Sequence, residues 1–209
     1  MFVADVLTFR EFAMNEALPL STLHNAVLEF LRDRDDVVLF GAQAVNAYVD
    51  EPRMTQDIDL MSPRAKALAD EIRQYLSQRF HIALRVREVG EGRGYRLYQV
   101  QKSGNRHLVD LRPVQELPPS QRIAQVLVMN PDELIASKVI SFHQRRGKPK
   151  AGTDWRDLAM LLLLLPEYKT AAGAVADRLQ AAGATPEIMD EWKQIVATDF
   201  QKSEDEDEF

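Results

Sequence analysis

The sequence predicts an α+β fold, a small mixed β-sheet followed by a helical C-terminal half. Two observations lead there. Up to about residue 120, short apolar runs alternate with helical patterns and end in a hairpin and one further strand. From about residue 131 only helical patterns remain, beyond the proline cluster of "PVQELPPSQR". The expected organisation is therefore a sheet-bearing core with an N-terminal helix over 1–120, a helical region over 121–200 and an acidic, disordered tail over 201–209.

Each element has a local reason. "PLSTLHNAVLEFLRDRDD" sets Leu23, Val27, Leu28 and Leu31 at helical spacing, with Ser21 or Thr22 as its N-cap. "VVLF" at 37–40 is a short apolar run ending at a glycine, the form of a buried strand. "AQAVNAYV" reads as a helix with small residues on one side, and "DIDLM" as a strand stopped by Ser62-Pro63. "PRAKALADEIRQYLSQRF" is an amphipathic helix with Pro63 suited to its first turn. "IALRVREV" and "YRLYQVQ" flank "GEGRG", a glycine-containing hairpin connection, and "HLVDLRPV" is the strand after it. The helical half comprises "NPDELIASKVISFHQRR", capped at Asn130 with Pro131 behind it, then "DWRDLAMLLLLL", "YKTAAGAVADRLQAAG" and "TPEIMDEWKQIVATDF".

Composition excludes several classes of function. With 209 residues, 45% hydrophobic and 28% charged, the chain has the makeup of an ordinary globule with a real core. It has no cysteine, so disulfides, thiolate nucleophiles and cysteine-based zinc sites are out. "LAMLLLLLP" is too short to span a bilayer, and "FVADVLTFREF" does not resemble a signal peptide, so a cytoplasmic protein without membrane partners is expected. The net charge of −6 becomes −1 without the five tail acids Glu204 to Glu208. Such a tail is a solvated end, or a nucleic-acid mimic over a basic cleft.

The chemistry centres on "VLFGAQAVNAYVDEPRMTQDIDLMS". On a strand, Asp57 and Asp59 share one face and Ile58 and Leu60 the other. Two like charges so close repel, and a cation offsets that: magnesium takes one or two carboxylates together with substrate phosphates. The alternative is an exposed strand end capping nearby amides. Asp110, mid-strand between Val109 and Leu111, also demands a partner, either that same cation or an arginine such as Arg112 or Arg96. The strand, Gly41 and helix order brings backbone N–H groups to a place where a triphosphate could sit, and Arg53 and Thr55 offer an anion a cation and a hydroxyl.

These residues together resemble the signature of the nucleotidyltransferase (polymerase-β-like) superfamily: a hydrophobic strand, Gly-Gly or Gly-Ser, a helix, Asp-x-Asp and a later third carboxylate. The Arg-x-Thr-x-Asp-x-Asp form is most similar to the AbiEii/AbiGii toxin-like branch, whose helical lysine and later acidic segment are matched loosely by Lys138 and by "TDWRDLAML". The resemblance runs over about residues 37 to 165. It implies a magnesium-dependent (or manganese-dependent) transfer of a nucleotide from a nucleoside triphosphate to an RNA, a protein hydroxyl or a small molecule. A toxin–antitoxin setting with a cognate antitoxin comes with it. Asp57, Asp59 and Asp110 would hold the metal, with Asp110 also the base, and Gly41 and Ala42 would contact phosphates. Lys138 would add positive charge, and Arg53, Thr55, Asp154 and Asp157 would complete nucleotide binding. The chain departs from the family at Ala42, where Gly or Ser is usual, and in its Asp-Trp-Arg-Asp order. A small-molecule, antibiotic-type transferase and a non-catalytic nucleotide- or partner-binding module carry similar patterns.

Weaker signals have plainer alternatives. Lys138 is either a phosphate cation or a lysine snorkelling from its helix. Arg145, Arg146, Lys148 and Lys150 form either a phosphate-backbone contact or a solvated connection. Trp155 is expected to pack, His143 lacks a second histidine at metal-ligand spacing, and Leu161 to Leu165 predict a helix buried on all sides.

Overall fold

A computed structural model describes residues 18–101 and 104–201. From Lys202 on, the acidic tail lies outside the described residues. In chain order the described elements are α1 (Leu20–Phe30), β1 (Val38–Phe40), α2 (Gly41–Asn46), β2 (Ile58–Ser62), α3 (Ala65–Phe80) and β3 (Leu84–Val89). They continue with β4 (Gly94–Gln101), β5 (Gly104–Pro113), β6 (Ser120–Ile123), β7 (Val126–Met129) and α4 (Pro131–Gln144). The last are α5 (Pro149–Leu164), a 3-10 turn (Pro166–Tyr168), α6 (Ala174–Ala181) and α7 (Pro186–Ala197). This is the predicted α+β class, a mixed sheet followed by helices.

The sheet has the order β3-β4-β5-β2-β1-β7-β6. β2 pairs antiparallel with β1 and parallel with β5, while β3, β4 and β5 form an antiparallel run. The chain divides into two compact units. One takes the described residues up to Phe40 with Met54–Val128, and the other takes Gly41–Arg53 with the described residues from Met129. In the sheet unit, Ile58 and Leu60 of β2 and Leu97, Leu108 and Leu111 pack with Leu23 and Val27 of α1 and Leu68, Ile72 and Leu76 of α3. The strand alternation that buries Ile58 and Leu60 turns Asp59 the other way, half-buried. In the helical unit, Leu134, Val139, Leu158, Leu161, Leu179 and Trp192 are buried, each worth about 1.5–3 kcal/mol of transfer free energy.

Several local expectations change. α1 begins at Leu20 after Pro19, so Ser21 and Thr22 lie within its first turn and neither is the N-cap. Proline's fixed φ presets that start. α3 starts at Ala65 with Arg64 as its N-cap, just beyond Pro63. The sheet extends past residue 120 through β6 and β7, and Leu39 pairs in parallel with Val128. Pro166 opens a separate 3-10 turn and α6 restarts only at Ala174, because Gly173 and the proline are poor helix interiors. Leu161 and Leu162 are buried but Leu163 to Leu165 are half-buried, so that helix is covered on one side only. No helix among the described residues is long and apolar enough to cross a membrane.

Candidate active site

The structure gathers the predicted site residues into two constellations, one in each unit. In the sheet unit, Asp59 on β2 is the register partner of Asp110 on the neighbouring parallel strand β5. Adjacent strands run about 4.8 Å apart, so the two carboxylates are neighbours on one sheet face. Asp57 stands one residue before β2, on the chain entering it. Thr55 is half-buried in the same approach.

A residue that sequence reasoning missed completes this group. His107 Nδ1 lies 3.1 Å from Asp57 Oδ2, and its Nε2 lies 3.8 Å from Asp110 Oδ1. Asp57, His107 and Asp110 each offer one ligand atom within 4.8 Å of the others, a set that could hold a metal ion. Simple alternation predicts opposite faces for His107 and Asp110, three positions apart. A β-bulge overrides it. Tyr98 pairs with His107 while Leu97 pairs with Val109, which leaves Leu108 as the extra residue. Leu108 and Val109 are both buried in succession, and His107 returns to the carboxylate face.

Arg96 and His107 offset part of the negative charge of this group. The Asp57 hydrogen bond is the main cause that raises the His107 pKa, against the opposing effect of its burial. Arg96 Nε donates to Asp110 Oδ1 at 2.9 Å, which raises the Arg96 pKa further. The arginine alternative for Asp110 is thus realised by Arg96, whereas the Arg112 guanidinium lies over the Phe40 ring at 4.9 Å. On α1, His24 is 7% exposed, and burial lowers its pKa although the Asp57 charge acts in the other direction. Its Nε2 has no hydrogen-bond partner among the described residues.

The second constellation is buried in the helical unit. Asp157 on α5 receives Arg53 Nε and Nη2 at 2.7 and 2.9 Å and Lys138 Nζ of α4 at 2.7 Å. Asp154, one helical turn earlier, takes Lys138 Nζ at 3.3 Å and Arg145 Nη1 at 2.7 Å. Burial pushes the Asp157 carboxyl up, but the Arg53 hydrogen bond and the Lys138 charge outweigh it and leave the pKa low. Asn46 of α2 fixes the Arg53 backbone: its Nδ2 donates to the Arg53 carbonyl at 2.8 Å, and its Oδ1 accepts from the Arg53 N–H at 3.0 Å. Gly41 opens α2 at φ +71°, a conformation that suits glycine, with Ala42 next. Lys138 is 7% exposed, so it does not snorkel to solvent.

In the basic segment, Arg145 and Arg146 are ion-paired, while Lys148 and Lys150 are exposed. Arg145 pairs with Asp154, and Arg146 Nη2 donates to Glu191 Oε1 at 2.6 Å. His143 Nδ1 lies 2.7 Å from Glu191 Oε2. Trp155 packs as expected, with ring centroids 5.3 Å from Phe142 and 5.5 Å from Phe200.

The chain thus has a mixed sheet with acidic side chains in register on adjacent strands, followed by a helical region. The chain belongs to the AbiEii family: a family model described as "Nucleotidyl transferase AbiEii toxin, Type IV TA system" matches residues 25–208. The enzyme is therefore a nucleotidyltransferase. Solved structures share the fold. The Megavirus polyadenylate synthase aligns with a TM-score of 0.57 and 12% identity over 78% of this chain, which spans 36% of that protein. JHP933 from Helicobacter pylori aligns with a TM-score of 0.56 and 14% identity over 85% of this chain and 87% of its own. A candidate nucleotidyltransferase from H. pylori gives 0.58 and 16% over 88% and 84%. No curated protein matches the chain.

Proposed function

We propose that this enzyme transfers a nucleoside monophosphate from a nucleoside triphosphate to an RNA or protein hydroxyl, as the toxin of a cytoplasmic toxin–antitoxin pair with a cognate antitoxin as partner. The observation that carries the transfer reading is the register of Asp59 with Asp110, beside Asp57 and His107. The donor chemistry fits a divalent cation: hard carboxylate oxygens suit magnesium, and manganese accepts both these and an imidazole nitrogen. Asp57, Asp59 and Asp110 are the residues proposed to hold it. Such a cation, when bound, polarises phosphoryl oxygens as a Lewis acid.

The protein groups have definable tasks in this reading. Asp110 accepts the proton of the incoming hydroxyl. That oxygen bonds to the α-phosphorus as the bond to the pyrophosphate leaving group breaks. Until a cation binds, His107 and Arg96 offset the repulsion among the carboxylates. Family resemblance adds Gly41, Ala42, Arg53, Thr55, Lys138, Asp154 and Asp157 to nucleotide handling.

Thermal melts with magnesium and each nucleoside triphosphate test the proposal. Ligand at about a hundred times its Kd stabilises the folded chain by about 2.7 kcal/mol. Asp59→Asn and Asp57→Ala are expected to keep the fold and lose that shift. An equal shift in parent and variants would remove the metal role from these carboxylates.

A further inference from the structure

His107 lies outside the signature read from the sequence, yet both of its ring nitrogens face the carboxylate group. Nδ1 meets Asp57 Oδ2 at 3.1 Å and donates to it, so in the neutral ring Nε2 keeps a lone pair. That second nitrogen is buried and has no hydrogen-bond partner among the described residues. It stands 3.8 Å from Asp110 Oδ1, too far for a hydrogen bond. The ring is fixed on its other side as well, with its centroid 5.0 Å from that of Tyr98. The bulge at Leu108 aims it here, and bulges that redirect a side chain are common beside active sites. A buried acceptor without a donor is costly unless something binds it.

We propose that His107 Nε2 is a direct ligand of the cation held by the carboxylates, and that this nitrogen makes the site prefer manganese to magnesium. The inference rests on the metal role proposed above for the carboxylates, and adds to it a ligand and an ion preference. Metal bonds to nitrogen and oxygen run about 2.0–2.2 Å, so two of them span up to about 4.4 Å and can bridge Nε2 and Asp110 Oδ1. Arg96 Nε also donates to Asp110 Oδ1, at 2.9 Å, but a carboxylate oxygen takes two partners. Asp57 does for His107 what the outer carboxylate does in a carboxylate–histidine–metal triad. By holding the Nδ1 proton it fixes the tautomer and the ring direction, and strengthens Nε2 as a ligand. Any proton on Nε2 leaves to solvent as the cation binds. Magnesium is a hard ion that keeps oxygen ligands and dehydrates reluctantly. First-row transition ions, beginning with manganese, accept a mixed set of nitrogen and oxygen. A histidine acting only as a counter-charge would place no nitrogen on the ion.

The test loads the full chain with manganese alone and reads it by pulsed electron paramagnetic resonance, which detects nitrogen bound to the ion. The parent is expected to show a directly coordinated nitrogen whose signal changes when the histidines are isotope-labelled. His107→Gln, which offers an amide oxygen in place of the imidazole, is expected to lose that coupling. It should also bind manganese about 10–100-fold more weakly, with magnesium affinity near the parental value. His24→Gln is expected to keep the coupling. A parent whose bound manganese shows no nitrogen coupling would overturn the inference, and that reading needs no variant to fold. Loss of manganese binding in Asp59→Asn would in that case still uphold the carboxylates as metal ligands, so the two readings fail separately. Coupling and manganese affinity that persist in His107→Gln would also overturn the inference. A parent that binds no manganese would overturn it together with the metal role.

Discussion

Asp157 is 0% exposed and accepts from both Arg53 and Lys138, so its loss leaves two cations facing no carboxylate at that point. Removing one partner of a buried ion pair costs about 3–5 kcal/mol, and Asp157→Ala is expected to lose that much in urea denaturation. The pH dependence follows from its lowered pKa. A carboxyl held below its ordinary value of 3.8 in the folded chain stabilises fully above that value, and the contribution is lost as pH falls through the folded pKa. The parent should therefore lose stability in that acid range, whereas Asp157→Asn, already without the charge, should show a shallower dependence there. Equal acid profiles would mean that Asp157 is not the group that titrates.

Among elements, the β6–β7 hairpin was the least legible in the sequence. Its two-residue connection is Ala124-Gln125, and both residues have positive φ, 47° and 69°. That is the geometry of a type I′ turn, whose usual signal is Asn-Gly or Asp-Gly. Here the pairing of Leu39 with Val128 and the hydrogen bond from Asp33 N–H to the Gln125 carbonyl at 2.9 Å hold an unsuited pair of residues in place. A left-handed conformation costs an ordinary residue about 1–2 kcal/mol, so Ala124→Asn with Gln125→Gly should stabilise the chain by about 1 kcal/mol or more. Chemical denaturation checks it, and an unchanged midpoint would show that the turn carries no strain. By contrast β2, β5 and α4 were plain from the sequence, since their apolar periodicity and the Asn130-Pro131 start act locally.

For the whole molecule, the distribution of charge matters more than the total of −6. The basic run at 145–150 reads as a phosphate contact in one dimension, but Arg145 and Arg146 are turned to Asp154 and Glu191, which are 2% and 5% exposed. Replacing both arginines by alanine is expected to destabilise the chain by about 1–3 kcal/mol, because buried acceptors lose donors. The dependence of RNA binding on salt, read as the slope of log affinity on log salt, should stay at its parental value. A flattened slope with unchanged stability would return this segment to nucleic-acid binding.

The sequence by itself determined the α+β class, the strands that carry Asp59 and Asp110, and the nucleotidyltransferase signature, because periodicity and motif spacing are properties of contiguous residues. Only the tertiary structure decided which charges meet. His107 reaches the carboxylate face because a bulge inserts Leu108 into β5, and the bulge is set by pairing with β4. Lys138 is held on Asp154 and Asp157, from a different helix, and so cannot be classified from its own helix face. Electrostatic partners are fixed by distances across elements, and strand register and helix packing set those distances.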